Sequence, residues 1–87
     1  MLLSRGDAML ALGDVLAARL LYQRAAELGS AQGATAVGKT YDPAVLVSIG
    51  ASGLAADRAA AASWYRKGAA LGDQDGARRL ASLAPAK

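Results

Sequence analysis

The chain has 87 residues, a formal net charge of +3, no histidine and no cysteine. This length allows one small domain with a thin core, and the lack of cysteine excludes disulfides and thiolate chemistry. The mild positive charge is not the dense basic patch of a nucleic-acid-binding protein, so we expect no nucleic-acid partner.

The first predicted element is a helix over residues 2–12, in which leucine and methionine recur at helical spacing. Arg5-Gly6-Asp7 spells an integrin-recognition tripeptide, but that recognition needs an exposed loop tip. We therefore interpret these three residues as part of the helix. The chain has no apolar run of membrane-spanning length, and its first residues have no signal-peptide pattern.

The second predicted helix covers residues 15–28, after a turn at Gly13 and a cap at Asp14. Its apolar surface is unusually wide, because Val15, Leu16 and Leu20 extend it beyond the face needed for one neighbour. A helix that is apolar nearly all round should be covered on two sides. We therefore expect these three residues to form a self-association surface, with a homodimer or a longer array of repeats as the result.

The third predicted helix covers residues 31–41, with Ser30 as its cap, and contains a misleading motif. Gly33 to Thr40 reads G-A-T-A-V-G-K-T and satisfies the phosphate-binding pattern G-x-x-x-x-G-K-T. That motif needs a buried strand before it and a long helix after it, and here it follows a helix and precedes Asp42-Pro43. We therefore favour a helix, and treat a nucleotide-binding protein as a minor alternative.

Residues 42–56 are predicted to link the two halves of the chain. Asp42 and Pro43 are typical of a helix start, so residues 44–49 are expected to form a short helix. Gly50 to Gly53 then forms the flexible part of the linker.

The last predicted elements are two helices separated by a short break, within residues 57–83. Asp57 is a good cap for the first, Gly72 ends it, and Asp73 can cap the second. Trp64 lies on the predicted buried face and is expected to contribute more to stability than any other side chain.

The two helical pairs are similar in sequence. Shifting the chain by 43 positions aligns residues 14–41 with the segment that begins at residue 57, with nine identities in 28 positions. Alanine matches are easy here, but the paired tyrosines Tyr22 and Tyr65 and the glycine breaks at Gly29 and Gly72 are less easily accidental. We interpret the pattern as a tandem repeat of helix hairpins.

The segments L-L-Y-Q-R-A-A-E-L-G-S-A-Q-G-A and S-W-Y-R-K-G-A-A-L-G-D-Q-D-G-A resemble Sel-one-like repeats, relatives of the tetratricopeptide repeat. The residues that match that family's W-Y-x-K-A-A-x-x-G-x-x-x-A pattern well are Trp64, Tyr65, Lys67, Ala69, Gly72 and Ala77. Those that match it loosely are Leu21, Tyr22, Arg24, Ala26, Gly29, Gly38 and Tyr41. Gly68 departs from the usual alanine, which leaves the straightness of its helix open.

This resemblance implies an all-α fold in which helix hairpins stack into a short right-handed solenoid. It covers about residues 14–83, with repeats at 14–41 and 57–83 in a single domain of residues 1–87. It also implies a non-catalytic protein-interaction or assembly module without a cofactor or metal. The alternative is a regulatory or structural segment of a longer, envelope-associated protein, so the compartment stays open between cytoplasm and envelope.

The candidate partner-binding residues are Thr35, Lys39, Arg78 and Arg79. In repeats of this kind, the second helix of each hairpin lines the inner face. On those helices, the residues predicted to face inward are Ala34, Val37, Gly38 and Tyr41 in the first hairpin and Ala77, Leu80 and Ala81 in the second. The four candidate side chains should therefore point outward. Three cations on one surface, opposed by Asp75, favour an acidic peptide or a terminal carboxylate as the partner. The alternative is that these cations form a solvent-exposed basic surface that binds no partner.

Overall fold

The computed structural model describes residues 1–51 and 53–83, and in that part of the chain it contains six helices and no strand. The helices are α1 (Leu2–Ala11), α2 (Val15–Glu27), α3 (Ala31–Tyr41), α4 (Pro43–Ser48), α5 (Arg58–Ala70) and α6 (Gln74–Leu83). The prediction of an all-α chain is confirmed. Ser52 of the predicted linker lies outside the described residues.

The helices begin where capping side chains were predicted. Asp14, Ser30 and Asp57 each accept a hydrogen bond from a backbone N–H three residues later, at 2.9–3.0 Å. Asp42 accepts from the N–H of Ala44 and starts α4, with Pro43 in its first turn. These bonds satisfy donors that a helix start leaves without a partner, so local sequence sets the boundaries.

Four helices end in the same way, with a glycine at positive φ. Gly13, Gly29, Gly50 and Gly72 have φ between 75° and 107°, and each is followed by a backbone bond that closes the last turn. An L side chain is strained in this conformation, so the glycines explain why the breaks are short.

Each long helix packs chiefly on the next one, in the order α1, α2, α3, α5 and α6, and α4 packs on α3. The body measures 38 × 30 × 15 Å, so its core is thin. The first cluster of buried residues is Ala18, Tyr22, Ala36 and Val37, and the second is Ala61, Tyr65 and Leu83. Tyr41 packs against both clusters and joins them.

The side chain at the centre of the α3–α5 contact is Tyr65 rather than Trp64. Tyr65 is fully buried, whereas Trp64 is partly exposed and packs at the edge of the first cluster, with Lys67 Nζ 5.3 Å from its ring centroid. Adjacent helical residues point about 100° apart, so the two side chains pack in different places, Tyr65 against Gly38 of α3 and Trp64 beside the first cluster. The predicted dominance of Trp64 is corrected accordingly.

Gly68 is buried at the contact between α5 and α3. A Cβ at this position would overlap the Thr35 hydroxyl and would lie 3.1 Å from the carbonyl oxygen of Ala31. Glycine therefore lets α5 approach the backbone of α3 closely. Helix α5 continues through this position without a break, from Arg58 to Ala70.

Candidate functional site

A polar cleft of about 400 Å³ opens between α1, α3 and the start of α6, and we call it the α1–α3–α6 cleft. Helix α3 contributes one face at helical spacing, α1 contributes an apolar and an acidic residue, and the α5–α6 turn and first turn of α6 contribute two carboxylates. The residues that line it are Leu3, Asp7, Gln32, Thr35, Ala36, Lys39, Asp73 and Asp75.

The carboxylates of the cleft are held by neighbouring groups. Asp7 accepts a short hydrogen bond from the hydroxyl of Tyr22, and Asp73 accepts from the N–H of Asp75 at 3.3 Å. Arg78 and Arg79 both donate to Asp75, at 2.7 and 2.9 Å. These contacts fix the side chains in place before any partner arrives.

The electrostatics of Asp75 reflect its basic neighbours. The hydrogen bond from Arg79 holds the pKa of Asp75 below its usual value, and the charges of Arg79, Arg78 and Lys39 act in the same direction. Asp75 is therefore ionised at neutral pH. Its charge neutralises part of the predicted basic surface.

The four candidate partner-binding residues do come near one another, but not as a free cationic patch. Lys39 lies in the cleft, while Arg78 and Arg79 are bound to Asp75 beside it. The cleft also contains Asp7 and Asp73, which the sequence did not place there. Three carboxylates thus face three cations, and the surface is mixed in charge rather than basic.

The predicted outward orientation of Thr35 is wrong. Its exposed fraction is 3%, and its hydroxyl oxygen is buried without a hydrogen-bond partner. The hydroxyl lies between the Cα atoms of Gly68 and Gly76, where α5 and α6 both approach α3. Helix α3 packs against α2, α4, α5 and α6, so it has less exposed surface than an amphipathic helix. The polar character of Thr35 therefore does not predict that its side chain is exposed.

The predicted inner face of α6 also needs correction. Ala77 and Ala81 were expected to face inward, but both are exposed, and the buried residues of α6 are Gly76 and Leu83. Gly76 fits against the backbone of α5, where a Cβ would lie 3.0 Å from the Tyr65 carbonyl oxygen. This close contact sets the rotation of α6 and turns Arg79 partly inward.

The candidate self-association residues are divided by the structure. Val15 is buried, with an exposed fraction of 2%, so it cannot contact another chain. Leu16 and Leu20, one turn apart on α2, remain exposed at 55% and 68%.

Sequence reasoning also missed the role of Arg19. Its guanidinium stacks 3.7 Å from the centroid of the Tyr41 ring and donates to both the hydroxyl and the carbonyl oxygen of Thr40, at 2.9 and 2.8 Å. A cation at the C-terminal end of α3 is also favoured by the helix dipole. Its contact partners lie 21 and 22 positions away, so no local pattern could have indicated it.

Some site types are not found in residues 1–51 and 53–83. No three acidic, histidine or cysteine side chains of that part are grouped to hold a metal ion. None of its helices has both the length and the apolar character needed to cross a bilayer. Comparison with protein-family models, with curated proteins and with solved structures found no match for this chain.

Proposed function

We propose that this chain is a non-catalytic protein-interaction module of the Sel-one-like type, built from two stacked helix hairpins in a short right-handed solenoid. The hairpins are α2–α3 and α5–α6. The proposed binding site is the α1–α3–α6 cleft, because it combines a preformed concave surface with fixed charges of both signs.

The first support for the repeat is a contact that recurs after 43 residues. A Cβ on Gly33 would lie 2.9 Å from the backbone nitrogen of Ala26 and 3.1 Å from the Tyr22 carbonyl oxygen. A Cβ on Gly76 would lie 3.1 Å from the nitrogen of Ala69 and 3.0 Å from the Tyr65 carbonyl oxygen. Each of the three residues has its counterpart 43 positions later, so the two hairpins are closed by the same contact.

The second support is the way a tyrosine joins each hairpin to the helix before it. The ring of Tyr22 fits over Gly6 of α1, and the ring of Tyr65 fits over Gly38 of α3. Each hydroxyl also donates to an aspartate of the helix before it or at the end of that helix. Tyr22 donates to Asp7 of α1, and Tyr65 donates to Asp42 at the end of α3. Stacking through equivalent contacts is what a helical repeat requires.

A third correspondence concerns the ends of α3 and α6. Arg19 donates to the carbonyl oxygen of Thr40, and Arg58 donates to that of Leu83, which lies 43 positions after Thr40. Arg19 aligns with Ala62, which lies four residues, or about one helical turn, after Arg58. The last turn of each hairpin's second helix is thus bound by an arginine of its first helix, from positions one turn apart.

The charges of the cleft favour a polar segment that carries both signs. Lys39 can pair with a carboxylate of the partner, while Asp7 and Asp73 can accept hydrogen bonds from a basic or amide group. A uniformly acidic peptide, which the sequence favoured, would bring its charge against three carboxylates. Because the side chains are already held in place, little ordering entropy is lost on binding.

Selection of peptides from a displayed random library against the folded protein tests this function. We expect the selected peptides to contain acidic and basic residues, and Lys39→Glu to weaken their binding at least tenfold. Arg24→Glu is the matched control, because it reverses the charge of an exposed cation on α2 away from the cleft. Selected peptides that bind the Lys39→Glu protein as well as the parent would contradict the proposal.

A further inference from the structure

A second concave surface lies between α5 and α6, and we call it the α5–α6 groove. It has a volume of about 670 Å³. Its floor is apolar, since alanines there allow a partner to approach closely and leucines provide apolar contact area. Two arginines lie on its rim. The lining residues are Arg58, Ala59, Ala62, Arg66, Leu80, Ala81 and Leu83.

The groove presents a surface equivalent to one that already holds a helix. Leu80, Ala81 and Leu83 lie 43 positions after Val37, Gly38 and Thr40 of α3. On α3, a Cβ at Gly38 would lie 2.6 Å from the Tyr65 ring and 3.1 Å from the Ala61 carbonyl oxygen, so α5 packs directly on this position. The part of α6 around Ala81 corresponds to that contact, so an α-helix is an occupant of matching shape.

The occupant must differ from α5 at one position. A Cβ on Gly38 would lie 2.6 Å from the ring of Tyr65, so only glycine accommodates that tyrosine. The equivalent position on α6 is Ala81, which does carry a Cβ. A helix that docks on α6 in the same way needs a small side chain where α5 has Tyr65.

The charge of the rim selects an acidic helix. Arg58 and Arg66 are both exposed, and no acidic side chain is found among the described residues that line the groove. Arg58 also donates to the carbonyl oxygen of Leu83 at 2.9 Å, which holds it at the edge of the groove. Its remaining donors, and all those of Arg66, can pair with carboxylates.

A second copy of this chain is a poor match for that rim. Of its seven acidic residues, Asp14, Asp42, Asp57 and Asp73 cap helices, Asp7 accepts from Tyr22, and Asp75 binds two arginines. That leaves Glu27. Glu27 is thus the one acidic side chain that makes no hydrogen bond among the described residues, so the rim favours a helix that is more acidic than those of a second copy.

We propose that the α5–α6 groove binds an acidic, amphipathic α-helix of a partner protein. The apolar face of that helix packs against Ala62, Leu80 and Ala81, and acidic residues on its flank pair with Arg58 and Arg66. This surface is separate from the α1–α3–α6 cleft, and the binding of a peptide in the cleft neither requires nor excludes it.

The test uses two synthetic helices derived from α5, because α5 already fits the equivalent face of α3. Both span residues 57–71 and carry Tyr65→Ala. The acidic probe also carries Arg58→Glu, Arg66→Glu and Lys67→Glu, and the basic control has lysine at those three positions. Each is titrated into the full chain while the alanine methyl resonances are followed by NMR.

We expect the acidic probe to shift the methyl resonances of Ala59, Ala62 and Ala81 and to bind at least tenfold more tightly than the basic control. In the Arg66→Glu protein, the ratio of the affinities of the acidic and basic probes should fall at least tenfold, while methyl resonances outside the groove stay unchanged and so show an intact fold. Equal binding of the two probes would overturn the proposal, as would the absence of groove shifts with the acidic one. Groove shifts that grow with protein concentration alone would assign the surface to a second copy instead.

Discussion

Tyr65 is the largest fully buried side chain, and its hydroxyl donates to Asp42 at 2.7 Å. Burial raises the pKa of Tyr65 above its usual value, and the hydrogen bond and charge of Asp42 act in the same direction. Tyr22 has its pKa raised by the same causes, with Asp7 as the acceptor. Both hydroxyls therefore stay protonated in the folded chain at pH values where an exposed tyrosine ionises.

The raised pKa predicts that the protein loses stability in alkali. The protonated Tyr65 hydroxyl contributes its full share to the free energy of unfolding below the ordinary tyrosine pKa of 10.0. This share is lost as the pH rises toward the pKa of Tyr65 in the folded chain, because the unfolded chain ionises first. Tyr65→Phe removes one of these two groups. Between pH 10 and 11.5, the unfolding free energy of the variant should fall less steeply with pH than that of the parent, by up to about 1.4 kcal/mol per pH unit.

At neutral pH, Tyr65→Phe should cost about 1–2 kcal/mol, because Asp42 loses a donor in a buried position. Urea unfolding of parent and variant at a series of pH values measures both effects. Parallel pH profiles for the two proteins would mean that the Tyr65 hydroxyl is not buried in the folded chain.

The residues that the sequence predicted best are those that act locally. Asp14, Ser30, Asp42 and Asp57 were assigned as caps from their position alone, and each makes its expected bond. The orientation of Thr35 could not be predicted in this way. It depends on how closely α5 and α6 approach α3, which two glycines distant in sequence determine.

At the scale of the helices, α3 and α5 approach closely where Gly68 meets Thr35. Gly68→Ala should destabilise the protein by about 1–3 kcal/mol, because the new Cβ overlaps the Thr35 hydroxyl and presses on the backbone of α3. The Thr35→Ala change removes that hydroxyl, which is buried without a partner and contributes little.

A double-mutant cycle on Gly68 and Thr35 measures this contact. We expect Gly68→Ala to cost less in the Thr35→Ala background, with a coupling of about 0.5–2 kcal/mol. Gly53→Ala is the control, because nothing lies within 4 Å of the Cβ it would add. Additive effects at the two positions would show that the α3–α5 contact is looser than described.

The helical state of Gly33 to Thr40 leads to a prediction about nucleotides. These residues lie inside α3, so their backbone N–H groups are used in the helix and cannot surround a phosphate. ATP and GTP at millimolar concentration should leave the melting temperature unchanged. A rise that disappears in Lys39→Ala would contradict the helical interpretation of this motif.

At the scale of the whole molecule, the exposed leucines of α2 predict self-association. Leu16 and Leu20 form an apolar stripe on α2, and the aligned positions of the second hairpin, Ala59 and Ser63, are small. The stripe is therefore not needed for stacking. We expect sedimentation of the parent to show dimers that Leu16→Ser with Leu20→Ser converts to monomers.

Leu71→Ser is the matched control for that experiment, because Leu71 is also exposed but lies at the end of α5. It should leave the dimer intact. A parent that sediments as a monomer at all concentrations would remove the stripe as an interface.

The overall arrangement was predicted less completely than its helices. Periodicity and caps gave six helices with boundaries within a residue or two, since those signals are local. The fit of Tyr22 over Gly6, and of Tyr65 over Gly38, joins residues 16 and 27 positions apart. The mixed charge of the cleft likewise arises because Asp7 of α1 and Asp73 beside α6 meet across α3, which no single segment encodes.

The stacking of the hairpins through their tyrosines is tested most directly by NMR of the parent protein. Cross-relaxation should connect the ring protons of Tyr22 with the α protons of Gly6, and those of Tyr65 with the α protons of Gly38. Ring currents should also move both pairs of glycine α protons away from their usual positions. If the Tyr65 ring does not contact Gly38, the two hairpins are not stacked in this way, and if the Tyr22 ring does not contact Gly6, α1 does not pack on the first hairpin as described.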